Sequence, residues 1–194
     1  MYNIVLDRLP TEYEGYLIRS DFRIGIQIST CMADTTLSNE DRVLSALTLL
    51  YGRGIPEFSL AYCGLIWFLS CGDKNLTPED LQNQENDNNA ESADNVEVLS
   101  LKQDIVPIYS AFRKCFNIDL AHERMHWFEF NALLNDISGC LMTNIIDIRT
   151  MKVSDVDKKN RAKLANLKSK YKIVKPEDVE YEQAMEAFIS KMKQ

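Results

Sequence analysis

The stretch SNEDRVLSALTLLYG, residues 38–52, decides the fold class of this chain. Ser38 is placed to cap a helix, acidic residues occupy the first turn, and the apolar residues that follow recur at helical spacing. Gly52 then ends the helix. The adjoining stretch PEFSLAYCGLIWFLS, residues 56–70, predicts a second helix from 57 to 70. Since this helix is apolar nearly all round, it has to be buried centrally or against a partner.

Two weaker patterns precede these helices. Glu14 and Gly15 form a turn-compatible pair between aromatic and aliphatic residues, which predicts a small β-hairpin over residues 13–18. From Phe22 to Ile28 every second residue is apolar, and this alternation taken alone favours a strand. The local pattern leaves that segment ambiguous between strand and helix.

A polar segment, GDKNLTPEDLQNQENDNNAESADN (residues 72–95), separates the chain into two parts. It has no aromatic and no β-branched aliphatic residue, so it cannot bury enough apolar surface to offset the ordering of its backbone. The chain's net charge of −7 is concentrated here, because residues 73–104 hold nine acidic and two basic residues. We therefore expect a flexible acidic linker, and the low pI describes this segment rather than the whole surface.

Amphipathic helices are predicted after the linker. Asp104 is the expected N-cap of the first, with Pro107 tolerated in its first turn. The second is expected to run from Trp127 to Ile137 and to stop at Gly139.

Three more helices complete the C-terminal part. Thr143 is the expected N-cap of a short isoleucine-rich helix. Beyond Asp157 a strongly basic helix carries only a narrow apolar stripe, so its contact with the core should be slim. Pro176 is expected to start a terminal amphipathic helix.

These patterns predict an all-α, mainly helical fold: a compact multi-helix bundle with a small N-terminal β-hairpin and a disordered acidic linker. The expected organisation is an N-terminal unit of hairpin and helices (1–72), the acidic linker (73–97), a C-terminal helical segment that packs with the N-terminal one (98–173), and a terminal amphipathic helix (174–194).

One motif raises the hypothesis of a zinc-dependent hydrolase. His122-Glu123-Arg124-Met125-His126 fits H-E-x-x-H, which on a continuous helix places two imidazoles on one face with a glutamate as general base. These are the only two histidines of the chain, so a third ligand would have to be an acid such as Glu129 or Asp147. The alternative is a pair of exposed or capping histidines beside an aromatic helix. We predict that no residue is catalytic and that no metal or cofactor is bound.

The basic stretch 158–172 raises a second hypothesis, nucleic-acid binding. Its only aromatic residue is Tyr171, whereas single-strand binders usually combine basic charge with several stacking rings. A solvated face, or a face that docks onto an acidic protein surface, is the preferred interpretation. We predict that nucleic acid is not a partner.

The remaining composition excludes further classes. The longest apolar run, Phe58 to Ser70, is shorter than the ~18 residues that a membrane span needs, so no membrane association is expected. The N-terminal residues lack a secretory leader pattern, which predicts a cytoplasmic protein. The five cysteines include no CxxC pair, and each is expected to be a small buried hydrophobe.

Several strings of the chain resemble the tail-assembly protein family of long-tailed siphophages, which is encoded between the major tail protein and the tape-measure protein. The similarity covers about residues 12–173 and rests on the following strings: YEGYLIRSDFR (13–23), SALTLLYG (45–52), IYSAFRKCFNIDL (108–120), MHWFEFNALLNDI (125–137), IIDIRTMKV (145–153) and LKSKYKI (167–173).

The resemblance alters two structural expectations. The family pattern favours a helix over residues 21–33, which we follow against the local alternation. The family usually has a glycine turn before the MHWFEF string (125–130), whereas this chain has the shorter Ala121-His122-Glu123-Arg124. This departure implies that His122 and His126 do not share one continuous helix.

What the resemblance implies is a non-enzymatic tail assembly chaperone in the host cytoplasm. Such a protein binds the tape-measure protein, recruits the major tail protein and self-associates as a homo-oligomer. Amphipathic helices would cover apolar stripes of the tape measure in a helix-in-groove mode. The expected partner contacts, each of which is alternatively a core residue, are Phe58, Trp67, Trp127, Phe130, Met185, Phe188 and Ile189.

Overall fold

The computed structural model describes residues 4–73 and 98–174. Two short strands, β1 (Glu12–Tyr13) and β2 (Tyr16–Leu17), pair antiparallel near the N-terminus. The turn between them has positive φ at both central residues, 48° at Glu14 and 83° at Gly15, as a tight hairpin requires. The predicted hairpin is confirmed.

Helices make up most of the described residues, which confirms the mainly α-helical fold class. In chain order they are α1 (Phe22–Met32), α2 (Asn39–Tyr51), α3 (Phe58–Leu69), α4 (Ile105–Phe116), α5 (Trp127–Asn135), α6 (Leu141–Thr150) and α7 (Lys158–Lys170), with a 3₁₀ turn at Val153–Asp155. Among these residues no helix is both long and apolar enough to cross a membrane.

Helix α1 occupies the segment whose local alternation favours a strand, so the helix expected from the resemblance is confirmed. The Asp21 side chain caps it by accepting a hydrogen bond from the N–H of Arg23 at 2.9 Å. Phe22, Gly25 and Ile28 are buried, at helical spacing. The alternating isoleucines mislead because α1 contacts both α2 and α5, so apolar residues are useful on more than one side.

Helices α2 and α3 form where the sequence predicts them. Ser38 Oγ accepts a hydrogen bond from the N–H of Asp41 at 3.1 Å, and Gly52 ends α2 with φ 66°. Helix α3 is apolar nearly all round because it is central, with five buried residues on several sides: Ala61, Gly64, Leu65, Ile66 and Phe68.

Two predicted boundaries of the C-terminal helices are wrong, and a third is right in position but lacks the expected capping bond. Asp104 stands at the N-cap of α4, but its side chain makes no capping bond because it pairs with Arg149. Helix α5 ends at Asn135, before Ile137. The N-cap of α6 is Cys140 rather than Thr143, and Thr143 lies inside the helix, where its Oγ1 accepts from the N–H of Cys140 at 3.0 Å.

One apolar core joins the residues before and after the linker, hereafter the N-terminal segment (4–73) and the C-terminal segment (98–174). Aromatic rings make much of this contact: Phe130 stacks on Phe22 with ring centroids 5.1 Å apart, and on Phe112 at the same distance. The two segments also exchange backbone bonds, since the N–H of Trp127 donates to Ser20 O at 2.8 Å.

The expected acidic linker and terminal helix fall, apart from residues 73 and 174, outside the described residues.

Candidate partner-binding surfaces

Phe58, the first residue of α3, is the most clearly available of the predicted contact residues. Its side chain is 64% exposed although it begins the most apolar helix of the described residues. Its ring stacks on that of Tyr62, one turn along, with centroids 6.0 Å apart and planes 6° from parallel. The pair presents an apolar, rigid surface of the type that protein interfaces favour.

Trp67, near the other end of α3, is half-buried. Its ring lies 5.0 Å from that of Tyr13 and 5.6 Å, edge-on, from that of Phe128. Trp67 therefore packs α3 against the hairpin and against α5. Because it is only half-buried, part of its side chain remains accessible to a partner.

Trp127 and Phe130 belong to the core, with 3% and 0% of their surface exposed. Trp127 packs against α1 at Gly25, where an added Cβ would overlap the indole. Of the two interpretations given for these residues, burial supports the core role, and in this fold they present no surface to a partner. The other expected contacts, Met185, Phe188 and Ile189, lie outside the described residues.

The first turn of α4 is an exposed apolar surface that was not among the expected contacts. Val106 is 71% exposed, and Ile105 and Tyr109 are each 38% exposed. Only the opposite side of this helix, at Ile108 and Phe112, turns into the core. A sequence signal existed, because the apolar arc of α4 is wider than one packing face needs.

The basic helix α7 is attached to the body by few apolar groups. Leu164 is its one buried residue, which agrees with the slim contact expected from the sequence. Seven basic side chains lie between Lys158 and Lys172 without an acidic residue among them. Most are exposed, so α7 offers a positive surface.

A buried arginine supplies the attachment that α7 lacks. Arg149, at the end of α6, forms a bidentate ion pair with Asp104 at 2.6 and 2.9 Å. Its Nε donates to Tyr171 O at 2.7 Å, and Nη1, which also pairs with Asp104, donates to Val98 O at 3.0 Å. Lys168 Nζ of α7 donates a hydrogen bond to Arg149 O at 2.7 Å. We call this set the Arg149 clamp, and no local pattern in the sequence indicates that residues so far apart pair.

The two histidines do not form the helical arrangement that H-E-x-x-H requires. His122 lies in a turn, and its Nδ1 is 3.2 Å from Asp119 Oδ2. His126 is the N-cap of α5. The histidines therefore do not share a helix, as the short segment before His126 predicted. The described residues hold no cluster of three groups that could bind a metal.

Both ring nitrogens of His126 are engaged in the protein. Nδ1 accepts from the N–H of Phe128 at 3.0 Å, and Nε2 lies 2.9 Å from Pro10 O, to which it donates in the neutral tautomer. Burial lowers the pKa of His126, although the contact with Pro10 and the charge of Glu129 oppose this. His126 is thus a neutral capping residue that links α5 to the N-terminal segment.

An open groove of about 370 Å³ at the end of α6 is lined by Asp147, Thr150, Met151, Lys152 and Asp155. It brings two carboxylates and an amine to one place without a thiol or an imidazole. This lining suits polar or ionic contact rather than nucleophilic catalysis.

Comparison with known proteins identifies a family. A protein-family model described as Bacteriophage Gp15 protein matches residues 5–173. No curated protein and no solved structure matches the chain.

Proposed function

The chain belongs to the Bacteriophage Gp15 protein family, and from this premise we propose that it is a tail assembly chaperone of a long-tailed phage. In this proposal it binds the tape-measure protein in the host cytoplasm, keeps it soluble, and recruits the major tail protein. It performs no covalent chemistry. The family assignment makes a phage role the starting point, and the exposed surfaces support the particular role.

The observation that carries the proposal is the exposure of Phe58. A single-chain protein gains from burying a phenylalanine at the start of its central helix, since burial of such a side chain is worth about 1.5–3 kcal/mol. Phe58 instead lies 64% in solvent beside the ring of Tyr62. A binding role explains why this ring stays outside the core, whereas five other phenylalanines are buried in it: Phe22, Phe68, Phe112, Phe128 and Phe130.

The first turn of α4 supports the same role with a second apolar surface. Ile105, Val106 and Tyr109 lie on a different helix from Phe58 and on the C-terminal segment. Two separate apolar surfaces allow one copy to meet two chains, which a chaperone that holds one protein and recruits another requires. They also provide a route to self-association.

The expected binding energies suit a protein that binds exposed apolar stripes and is later released. An extended helical partner exposes apolar stripes before assembly, and small apolar surfaces bind such stripes weakly in a helix-in-groove mode. Many copies along one partner gain avidity, while each copy remains displaceable. A chaperone that is later removed needs this combination.

The experiment is co-expression with the tape-measure protein encoded by the same phage. We expect the chaperone to raise the soluble fraction of that protein and to co-purify with it. Phe58→Ala and Val106→Ala should each reduce the co-purified amount several-fold. Ser59→Ala, which removes an exposed polar group next to Phe58, is the matched control and should leave it unchanged.

Two outcomes would contradict the proposal. One is an insoluble tape-measure protein despite abundant folded chaperone. The other is that Phe58→Ala, Val106→Ala and their double variant each co-purify as much tape-measure protein as the unaltered chain does. That result would place the contact elsewhere. Circular dichroism of each variant checks that the helices are intact.

Nucleic-acid binding through α7 is the second candidate, favoured by the six basic side chains of this helix and by Lys172 just after it. It is the weaker one because the single ring nearby, Tyr171, is already covered by Lys170, whose Nζ lies 5.3 Å from the ring centroid. Binding of this kind would weaken steeply with added salt. A mobility shift at low salt that disappears in a Lys159→Ser, Lys163→Ser double variant would establish it.

A further inference from the structure

Two of the cysteines meet where the end of α4 contacts the start of α6. Cys115 is exposed, which contradicts the expectation that every cysteine is buried, whereas Cys140 is buried. Lys114 Nζ donates to Gly139 O at 2.6 Å, and the Cys115 thiol lies 3.5 Å from Ser138 O. These contacts hold the backbone just before Cys140 against the turn that carries Cys115.

The Cys140 sulfur has an unusual setting for a cytoplasmic structural thiol. As the N-cap of α6 it accepts from the backbone N–H of Thr143 in a capping box, and Thr143 Oγ1 lies 3.9 Å away. The Cys115 thiol donates to Ser138 O, two residues before Cys140, and lies near enough to the Cys140 sulfur to lower its pKa. Burial raises the pKa of Cys140, but the N–H groups of Thr143 and Met142, the Thr143 hydroxyl and Cys115 together bring the pKa below its ordinary value.

The other thiols of the described residues lack this combination. Burial raises the pKa of Cys71 to about 11, which makes its thiolate scarce. The Cys31 thiol donates to Arg42 O at 3.7 Å. Only at Cys115 and Cys140 does the described structure place an exposed thiol against a sulfur at a helix N-terminus.

We propose that Cys115 and Cys140 are a dithiol site that closes reversibly to a disulfide between α4 and α6 when a disulfide oxidant such as glutathione disulfide is present. The exposed Cys115 reacts first: its thiolate attacks one glutathione sulfur, and one glutathione leaves. The Cys140 thiolate then attacks the Cys115 sulfur and displaces the second glutathione. The two protein thiols lose two electrons and two protons, which reduce the oxidant to two glutathione thiols.

Such a bond is conditional rather than permanent. In a reducing cytoplasm most thiols stay reduced, and the cytosolic disulfides that occur are usually transient or redox-sensing. Closing the pair would tie the C-terminal end of α4 to the N-terminal end of α6 and stiffen the C-terminal segment. The inference does not depend on the proposed chaperone role.

The test is oxidation of the folded full chain with glutathione disulfide, followed by alkylation and tryptic mapping. Trypsin cuts after Lys114, Arg124 and Arg149, so the two thiols fall on different peptides, 115–124 and 125–149. We expect these two peptides to be the dominant cross-linked pair, and the link to disappear on treatment with a reductant. The melting temperature of the oxidised protein should rise.

Single variants separate the two roles. Cys140→Ser keeps a good helix cap and should trap glutathione on Cys115, at several times the level in the unaltered protein. Cys115→Ser should leave the Cys140 thiol free. Cys31→Ser is the control and should retain the cross-link. The proposal is overturned if 115–124 and 125–149 are not linked, if other pairs form equally, or if Cys140→Ser traps no more glutathione than the unaltered chain.

Discussion

The boundary between the two segments and the attachment of α7 are stabilised in opposite ways. At the boundary, rings from both segments interleave: Phe22 on Phe130, Phe68 against Trp127, and Trp67 against Phe128. At α7, one buried arginine donates to a carboxylate and two backbone carbonyls, with Leu164 as the buried apolar contact. Removing part of an apolar contact removes part of its stabilisation. Removing one partner of a buried ion pair leaves the other charge uncompensated in the interior, which costs more.

The largest effect is expected from breaking the Arg149 clamp. Arg149→Met leaves Asp104, which is 5% exposed, without its partner in the interior. Loss of one partner of a buried ion pair costs about 3–5 kcal/mol, so we expect a loss of that size in the free energy of unfolding. Urea denaturation followed by circular dichroism measures it.

Two further variants sharpen this result. Asp104→Leu combined with Arg149→Met should recover most of the loss, because no buried charge remains. Arg113→Met is the matched surface control: Arg113 pairs with Asp119 at 3.4 Å but is 48% exposed, and such pairs are worth below about 1 kcal/mol. If Arg149→Met and Arg113→Met lowered the free energy of unfolding equally, the Arg149 clamp would stabilise the fold no more than a surface ion pair does.

A smaller effect is expected from crowding the aromatic boundary. Gly25→Ala places a Cβ where the Trp127 ring lies, and that ring is held by Phe68 and Phe130. Overpacking costs about 1–3 kcal/mol, against up to about 1 kcal/mol gained from helix propensity, so we expect a net loss of about 1–2 kcal/mol.

Gly54→Ala is the control for this substitution, since an added Cβ there has at most an ordinary contact with Tyr51 O at 4.0 Å. Its unfolding free energy should be unchanged or slightly raised. If Gly25→Ala were as stable as Gly54→Ala in urea, the close approach of α1 to α5 would be contradicted.

The smallest effect is a pH dependence at His126. Burial lowers its pKa from the ordinary 6.5, so the unfolded chain binds the proton more readily than the folded one. The stability from the neutral imidazole is fully present above about pH 6.5 and is lost as the pH falls below it. The melting temperature should therefore drop on acidification through this range.

His126→Asn keeps a capping acceptor and should flatten that drop, while lowering stability at every pH through the lost contact with Pro10. His122→Asn is the control, because His122 is 83% exposed and pairs with Asp119 at the surface. If the melting temperature changed with pH equally in both variants, His126 would not be the source of the pH dependence.

Local signals in the sequence were sufficient for most of the helices. Ser38 and Gly52 mark the ends of α2 because a cap acts within one turn of its own position. Asp104 has the same capping chemistry, yet its side chain pairs with Arg149, which only the tertiary fold brings near. Cys140 occupies a cap position that its residue type does not signal, which explains the misplaced Thr143 prediction.

The candidate site was harder to predict than the fold. Phe58 and Phe130 are equally apolar in the sequence, but one is 64% exposed and the other 0%. The exposure of a side chain depends on which side of its helix contacts neighbouring helices. A sequence pattern indicates how wide the apolar arc of a helix is, but not how much of that arc the neighbouring helices bury. The surface at Val106 was missed for this reason.

The placement of the chain's two tryptophans gives the molecule an internal optical reporter. Both indoles lie at the boundary of the segments, Trp67 against Phe128 and Trp127 against Phe68. Their ultraviolet emission should therefore shift to the red when the two halves come apart, while detachment of α7 alone should leave the spectrum almost unaltered. An unlabelled sample can thus distinguish global opening from local fraying.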